Sequence, residues 1–220
     1  MVQASDNSLG TDRFGECLRE AMEWYGVDKD GFDQKDLLPT AAILGAKIID
    51  VKKKPDDKKP RVCMNGMEKD SDREKARRYL KKRAKFYSEE CMVDIYCYRC
   101  EADPFRPIIT MECEGSDGHS GDVKPNASSL NCDYLWDLFK LLQVASPLRI
   151  FLAICRENKR SLLMKRVDAT VRGYRQNILK NDDEVFAVIF PSTKWKKGNI
   201  RVQGWTGPQA GRIQPQRLYP

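Results

Sequence analysis

The stretch 92–114, MVDIYCYRCEADPFRPIITMECE, decides how this chain reads. Two apolar runs, Met92 to Cys100 and Pro107 to Glu114, are joined by the turn-rich Glu101 to Arg106, which predicts two adjacent antiparallel strands. Side chains in a strand alternate between faces. Val93, Ile95 and Cys97 are therefore expected on one face, and Asp94, Tyr96 and Tyr98 on the other. In the second strand Ile109, Met111 and Cys113 stand opposite Ile108, Thr110, Glu112 and Glu114. The end of one hairpin strand lies beside the start of the other, so Asp94, Glu112 and Glu114 are expected to converge. Three carboxylates on an otherwise apolar sheet repel one another unless a proton or a cation intervenes. A hard divalent ion such as Mg2+ is the economical remedy.

Upstream of the hairpin, Phe14, Cys17, Leu18, Ala21, Met22 and Tyr25 recur at helical spacing and predict a helix over 12–25. Gly26 to Pro39 reads as a loop; its Asp28, Asp30 and Asp33 resemble a calcium loop, but the terminal bidentate glutamate is missing. Ala41 to Val51 reads as a strand, and a lysine-rich loop follows through Arg61. Ser71 and Glu74 form a capping box for a helix running to about Glu90, with Ala76, Tyr79, Leu80, Ala84 and Tyr87 on one face. Its other face carries Arg77, Arg78, Lys81, Lys82 and Lys85, either a solvated face or a set of phosphate contacts.

Downstream, Leu135, Leu138, Phe139 and Leu142 predict a helix over 134–142, with Asp133, Asp137 and Lys140 on one side. Leu148 to Cys155 reads as a strand buried on both faces. A helix is expected from about Ser161 to Lys180, with Val167, Val171, Tyr174 and Ile178 on one side. Strands are expected at Val185 to Pro191 and Ile200 to Trp205. The whole reads as one α/β domain over 1–220, a central mixed sheet flanked by helices, with loose termini at 1–10 and 207–220.

The order from about 71 to 155 resembles the PD-(D/E)XK nuclease superfamily, the fold of many restriction and repair endonucleases. Asp94 in Met92-Val93-Asp94-Ile95 matches the motif aspartate, and Glu112-Cys113-Glu114 matches the (D/E)-x-K pair in its E-x-E variant. No proline precedes Asp94, and Glu114 stands where the lysine is usual; in some members that lysine has moved onto the following helix, where this chain has Lys140. The resemblance implies a restriction endonuclease-like αβββαβ core and a Mg2+-dependent endonuclease, with Mn2+ as a substitute metal. It implies Asp94, Glu112 and the Cys113 carbonyl as metal ligands. Glu114 would then be a ligand or general base, and Lys140 would position water or offset charge. It also implies DNA rather than RNA as substrate, and a homodimer would suit double-strand cutting.

Lys+Arg 39 against Asp+Glu 32 gives a net charge of +7. The charge is segregated: segments 51–85 and 151–220 each carry +9, while 1–50 carries −5 and 86–150 carries −6. An acidic centre between basic arms suits a metal site within a phosphate-binding surface. No apolar run reaches the length of a membrane span and no secretion signal opens the chain, so a cytoplasmic protein with reduced thiols and no membrane partner is expected.

Three other readings stand beside this one. Cys97-x-x-Cys100, with Cys91, Cys113, Cys132 and the single His119, offers ligands for a zinc site, although residues three apart in a strand face opposite ways. His119 with Asn126 and Asn131 resembles a His-Asn-His nuclease but lacks its second histidine. The main alternative is a non-catalytic nucleic-acid binder. It would grip phosphates through the 77–85 run and through Lys194, Lys196 and Lys197, with Trp195 and Trp205 either stacking on bases or packing the sheet.

Overall fold

Leu148–Cys155 forms a strand buried at every position, as a run that is apolar apart from Arg149 must be when both faces of its sheet are covered. The computed structural model describes residues 9–25, 34–52, 61–64, 76, 78–80, 85–88, 93–98, 107–115, 133–175, 183–191, 200–206 and 216–217. In chain order the elements are α1 (Thr11–Tyr25), α2 (Gln34–Lys52), β1 (Arg61–Met64), β2 (Lys85–Ser88), β3 (Ile95–Tyr98) and β4 (Ile109–Gly115). Then follow α3 (Asp133–Gln143), β5 (Leu148–Cys155), α4 (Glu157–Arg175), β6 (Glu184–Pro191), β7 (Arg201–Thr206) and β8 (Gln216–Arg217). The strands form one mixed sheet in the order β2-β1-β3-β4-β5-β6-β7-β8. β1–β2, β4–β5 and β5–β6 are parallel, and the remaining pairs are antiparallel.

Strand alternation sorts the core into two layers. Ile150, Leu152 and Ile154 of β5 and Phe186, Val188 and Phe190 of β6 pack with α1 and α2. Phe151, Ala153, Val185, Ala187 and Ile189 pack with α3 and α4 on the opposite face. The crossovers β4-α3-β5 and β5-α4-β6 step the same way along the sheet, and a common handedness puts both helices on one face. Phe14 of α1 stacks on Phe186 with ring centroids 4.1 Å apart.

Several expectations are corrected. Ala41 to Val51 is not a strand, and residues 34–39 are not loop, because both belong to α2. This helix packs against both α1 and the sheet and is buried without a break from Pro39 to Ala46. Burial on every side erases the amphipathic period, leaving length and the helix-forming Ala41, Ala42, Leu44 and Ala46 as the signals. The helix expected to reach Glu90 is helical at Ala76 and 78–80, but Lys85–Ser88 is strand β2, paired in parallel with β1. Lys85 is therefore not on a helical face with Arg78. The helix after β5 starts at Glu157 rather than Ser161. Within the tail Gln216–Arg217 pairs with β7, and the Leu9 and Gly10 N–H groups donate to the Glu184 carboxylate at 2.7 and 3.1 Å. No helix among the described residues is long and apolar enough to cross a membrane.

At the start of β5 the buried Arg149 donates through Nη1 to Asp183 Oδ2 and through Nε to the Val144 carbonyl, both at 3.0 Å. The pair ties the turn before β5 to the entry of β6. Asp183→Ala takes that carboxylate from a guanidinium sealed from water and is expected to cost about 3–5 kcal/mol of unfolding free energy. Urea unfolding at pH 7 measures it, and an unmoved midpoint would rule out the pair as an anchor.

Candidate functional site

β3 begins at Ile95 because the two residues before it leave the ladder. Ile95 pairs with Met111, and the same register would set Asp94 opposite Glu112 and Val93 opposite Cys113. Instead the chain bends at Val93 and Asp94. Asp94 Oδ2 then accepts the Cys113 N–H at 2.8 Å, so a side chain takes the donor that a strand backbone would have taken. The N–H and C=O of a strand residue point to the same edge, so the Cys113 carbonyl faces that gap too. The bend also corrects the expected faces: Val93 packs with the α3/α4 layer, not with Ile95 and Cys97, and Ile108 packs against the α1/α2 layer.

Glu112 stands in the middle of β4 on the α3 side and is only 2% exposed. α3 buries Tyr134, Leu135, Leu138, Leu141 and Leu142 and brings Asp137 and Lys140 to the seam with β4. Lys140 Nζ lies 2.6 Å from Asp137 Oδ1 and 3.1 Å from Glu112 Oε1. The contact with Glu112 is one of charge, since Oε1 has no aligned hydrogen-bond donor.

Burial pushes the Asp94 carboxyl above its usual range, and the Cys113 N–H and a hydrogen bond with Glu112 pull it part of the way back. Glu112 is pushed up to about 9, first by burial and then by the charge of Asp94 and the hydrogen bond between the two carboxyls. Burial alone would lower Lys140, but its hydrogen bond to Asp137 and the charge of Glu112 outweigh that and hold it above the ordinary lysine value. Burial and the charge of Asp94 thus favour the protonated form of Glu112, and the ammonium of Lys140 opposes them.

Of the predicted residues, Asp94, Glu112, the Cys113 backbone and Lys140 come together. Glu114, half-buried near the end of β4, shares its strand face with Glu112. Asp137 is the residue sequence reasoning left out, although its i,i+3 spacing to Lys140 was visible. Among the described residues no three His, Cys, Asp or Glu side chains form a metal-ligand group. Two carboxylates and a carbonyl nevertheless suit Mg2+, which keeps most of its waters and takes one or two protein carboxylates.

Arg78 is exposed. Arg77, Lys81, Lys82, Lys194, Lys196, Lys197 and Trp195 lie outside the described residues, as do Cys91, Cys100, Cys132, His119, Asn126, Asn131 and the 28–33 segment. Cys97 faces the α1/α2 layer, where a Cβ on Gly45 of α2 would come within 3.1 Å of its Sγ, so it points away from Asp94 and Glu112. Trp205 is buried and donates its indole N–H to Asp168 Oδ1 at 2.9 Å, so it packs the sheet instead of presenting a ring to bases. No protein-family model, curated protein or solved structure matches the chain.

The raised Glu112 value fixes the sign of a pH effect. The folded state keeps a proton that the unfolded chain releases above about pH 4.3, so this contribution to stability is complete at low pH and fades as pH rises toward 9. Urea unfolding in EDTA at pH 5.5, 7 and 8.5 is expected to show stability falling by up to about 1.4 kcal/mol per pH unit. Glu112→Gln flattens that slope; parallel slopes in the two proteins would contradict the protonated assignment.

Proposed function

We propose that the chain is a Mg2+-dependent phosphodiesterase acting on nucleic acid, with DNA as the preferred substrate and a restriction endonuclease-like core. The observation that carries this reading is the pairing of Asp94 and Glu112 at a broken strand ladder, with Lys140 3.1 Å from Glu112. The chain order supports it. α2, β1, β3, β4, α3 and β5 follow an αβββαβ pattern, with β3 antiparallel to its neighbours β1 and β4 and β5 parallel to β4. Residues 65–94, which include β2, are then an insertion between the first two core strands.

In this reading Asp94 and Glu112 hold the cation together with the Cys113 carbonyl. A bound divalent ion lowers the pKa of a water and offsets charge on the scissile phosphate. Lys140, held in place by Asp137, supplies positive charge where negative charge develops. Glu114 at the end of β4 acts as general base or as a further ligand. Binding of the cation releases the proton from Glu112, so metal affinity rises with pH.

Plasmid and single-stranded DNA incubated with Mg2+ or Mn2+ test the proposal. Cleavage is expected with either metal and not in EDTA. Asp94→Ala and Glu112→Ala should each lower the rate by more than about a hundredfold, and Lys140→Met by about 10²–10³. Equal rates in all four proteins, or no cleavage by the wild type over a range of metals and substrates, would sink it. Retained binding without cleavage would leave a nucleic-acid binder.

A further inference from the structure

Lys140 has two carboxylates within reach, and they lie at different depths. Its Nζ is 2.6 Å from Asp137 Oδ1, three residues back on α3, and 3.1 Å from Glu112 Oε1 across the seam to β4. The Glu112 side chain is 2% exposed, that of Asp137 15% and that of Lys140 31%. Glu112 is therefore the innermost of the three, and the ammonium joins it to a carboxylate nearer the water. Asp94 and Glu112 both feel the charge of Lys140 and, with opposite sign, that of Asp137.

The two contacts are not equivalent. The one to Asp137 is a short ion pair between neighbours on a single helix. The one to Glu112 is of charge alone, and Glu112 Oε1 keeps acceptor capacity that no hydrogen-bond donor uses. A buried carboxyl oxygen without a donor is costly, and it points to a ligand other than a neighbouring side chain. Lys140 carries a single charge on a flexible four-carbon stem, so its Nζ can leave Glu112 and stay with Asp137.

We propose that Lys140 is a tethered counter-ion of the Asp94/Glu112 pair, which gives up Glu112 to a divalent cation and is then held by Asp137 alone. This assignment rests on the metal-binding reading above but not on cleavage. Lys140 and the cation compete for one oxygen, Glu112 Oε1. Asp137 sets the strength of that competition, because it is the other place where the ammonium is stabilised, and it is a positioning residue in this sense. With this exchange Glu112 faces positive charge throughout, so the two buried carboxyls are never left to repel each other unopposed.

Electron paramagnetic resonance of free Mn2+, titrated with the full chain at one neutral pH and without nucleic acid, reads the exchange as a change in metal affinity. Lys140→Met is expected to bind Mn2+ about tenfold more tightly, because the competing charge is gone. Asp137→Asn is expected to bind it about tenfold more weakly, since an ammonium deprived of its second partner stays on Glu112. In the Lys140→Met background Asp137→Asn should leave the affinity unchanged, because the residue acts only through Lys140. Misfolding does not raise affinity, and circular dichroism verifies the fold of the Asp137→Asn proteins. Lys140→Met that binds Mn2+ no more tightly than the wild type overturns the exchange while leaving the nuclease reading intact. So does an Asp137→Asn loss of equal size in both backgrounds, which makes Asp137 act on the metal directly. Absence of Mn2+ binding by the wild type and Lys140→Met alike overturns the exchange and the nuclease together. The expected affinities with no cleavage of any nucleic acid support the exchange and remove the nuclease.

Discussion

The hydrogen bond from the Cys113 N–H to Asp94 organises one end of this sheet. A backbone donor inside a sheet must find an acceptor, and here a carboxylate supplies it where the neighbouring strand has turned away. That substitution stops the β3–β4 ladder at Ile95 and Met111. It brings a second carboxyl beside Glu112, already buried under α3. Two such groups cannot both stay ionised in so dry a place, so one keeps a proton, or a cation arrives. The ammonium of Lys140 and the carboxylate of Asp137 complete the local charge arrangement from the helix side.

Everything polar in this constellation lies on one face of the sheet. The other face, beneath α1 and α2, is dry: Met111 and Cys97 approach α2 so closely at Gly45 that even a methyl group there would force them to move. The division follows from the direction of the crossovers, which puts α3 and α4 together and leaves the opposite face to the first two helices. One layer gives the sheet a rigid floor, and the other carries the ionisable groups.

Legibility in the sequence followed the degree of amphipathic contrast. α1 and α3 show one apolar face and one polar face, and β5 and β6 are apolar apart from Arg149 and Glu184, so each was readable within a few residues. α2 was not, because a helix buried on all sides has no period to display and its Pro39 suggests a boundary. β2 was hidden for a different reason. Phe86 and Tyr87 continue the spacing of the preceding helical residues, and only pairing with β1 makes Lys85–Ser88 a strand. At the site, alternation placed Asp94 and Glu112 on one face, and spacing put Asp137 beside Lys140. The end of a ladder has no sequence signature, so the bond from Cys113 to Asp94 and the reversal of Val93 were out of reach.

Glu184, at the first position of β6, accepts the N–H groups of Leu9 and Gly10 that lead into α1, across 175 and 174 residues of chain. During synthesis the α1/α2 pair emerges long before the strand that receives it. Until then Phe14 of α1 lacks the Phe186 ring on which it stacks. Seating α1 on β6 is thus a contact of high sequence separation that can form only once residue 184 has been made. A chain interrupted before residue 184 would lose the contact that seats the start of α1.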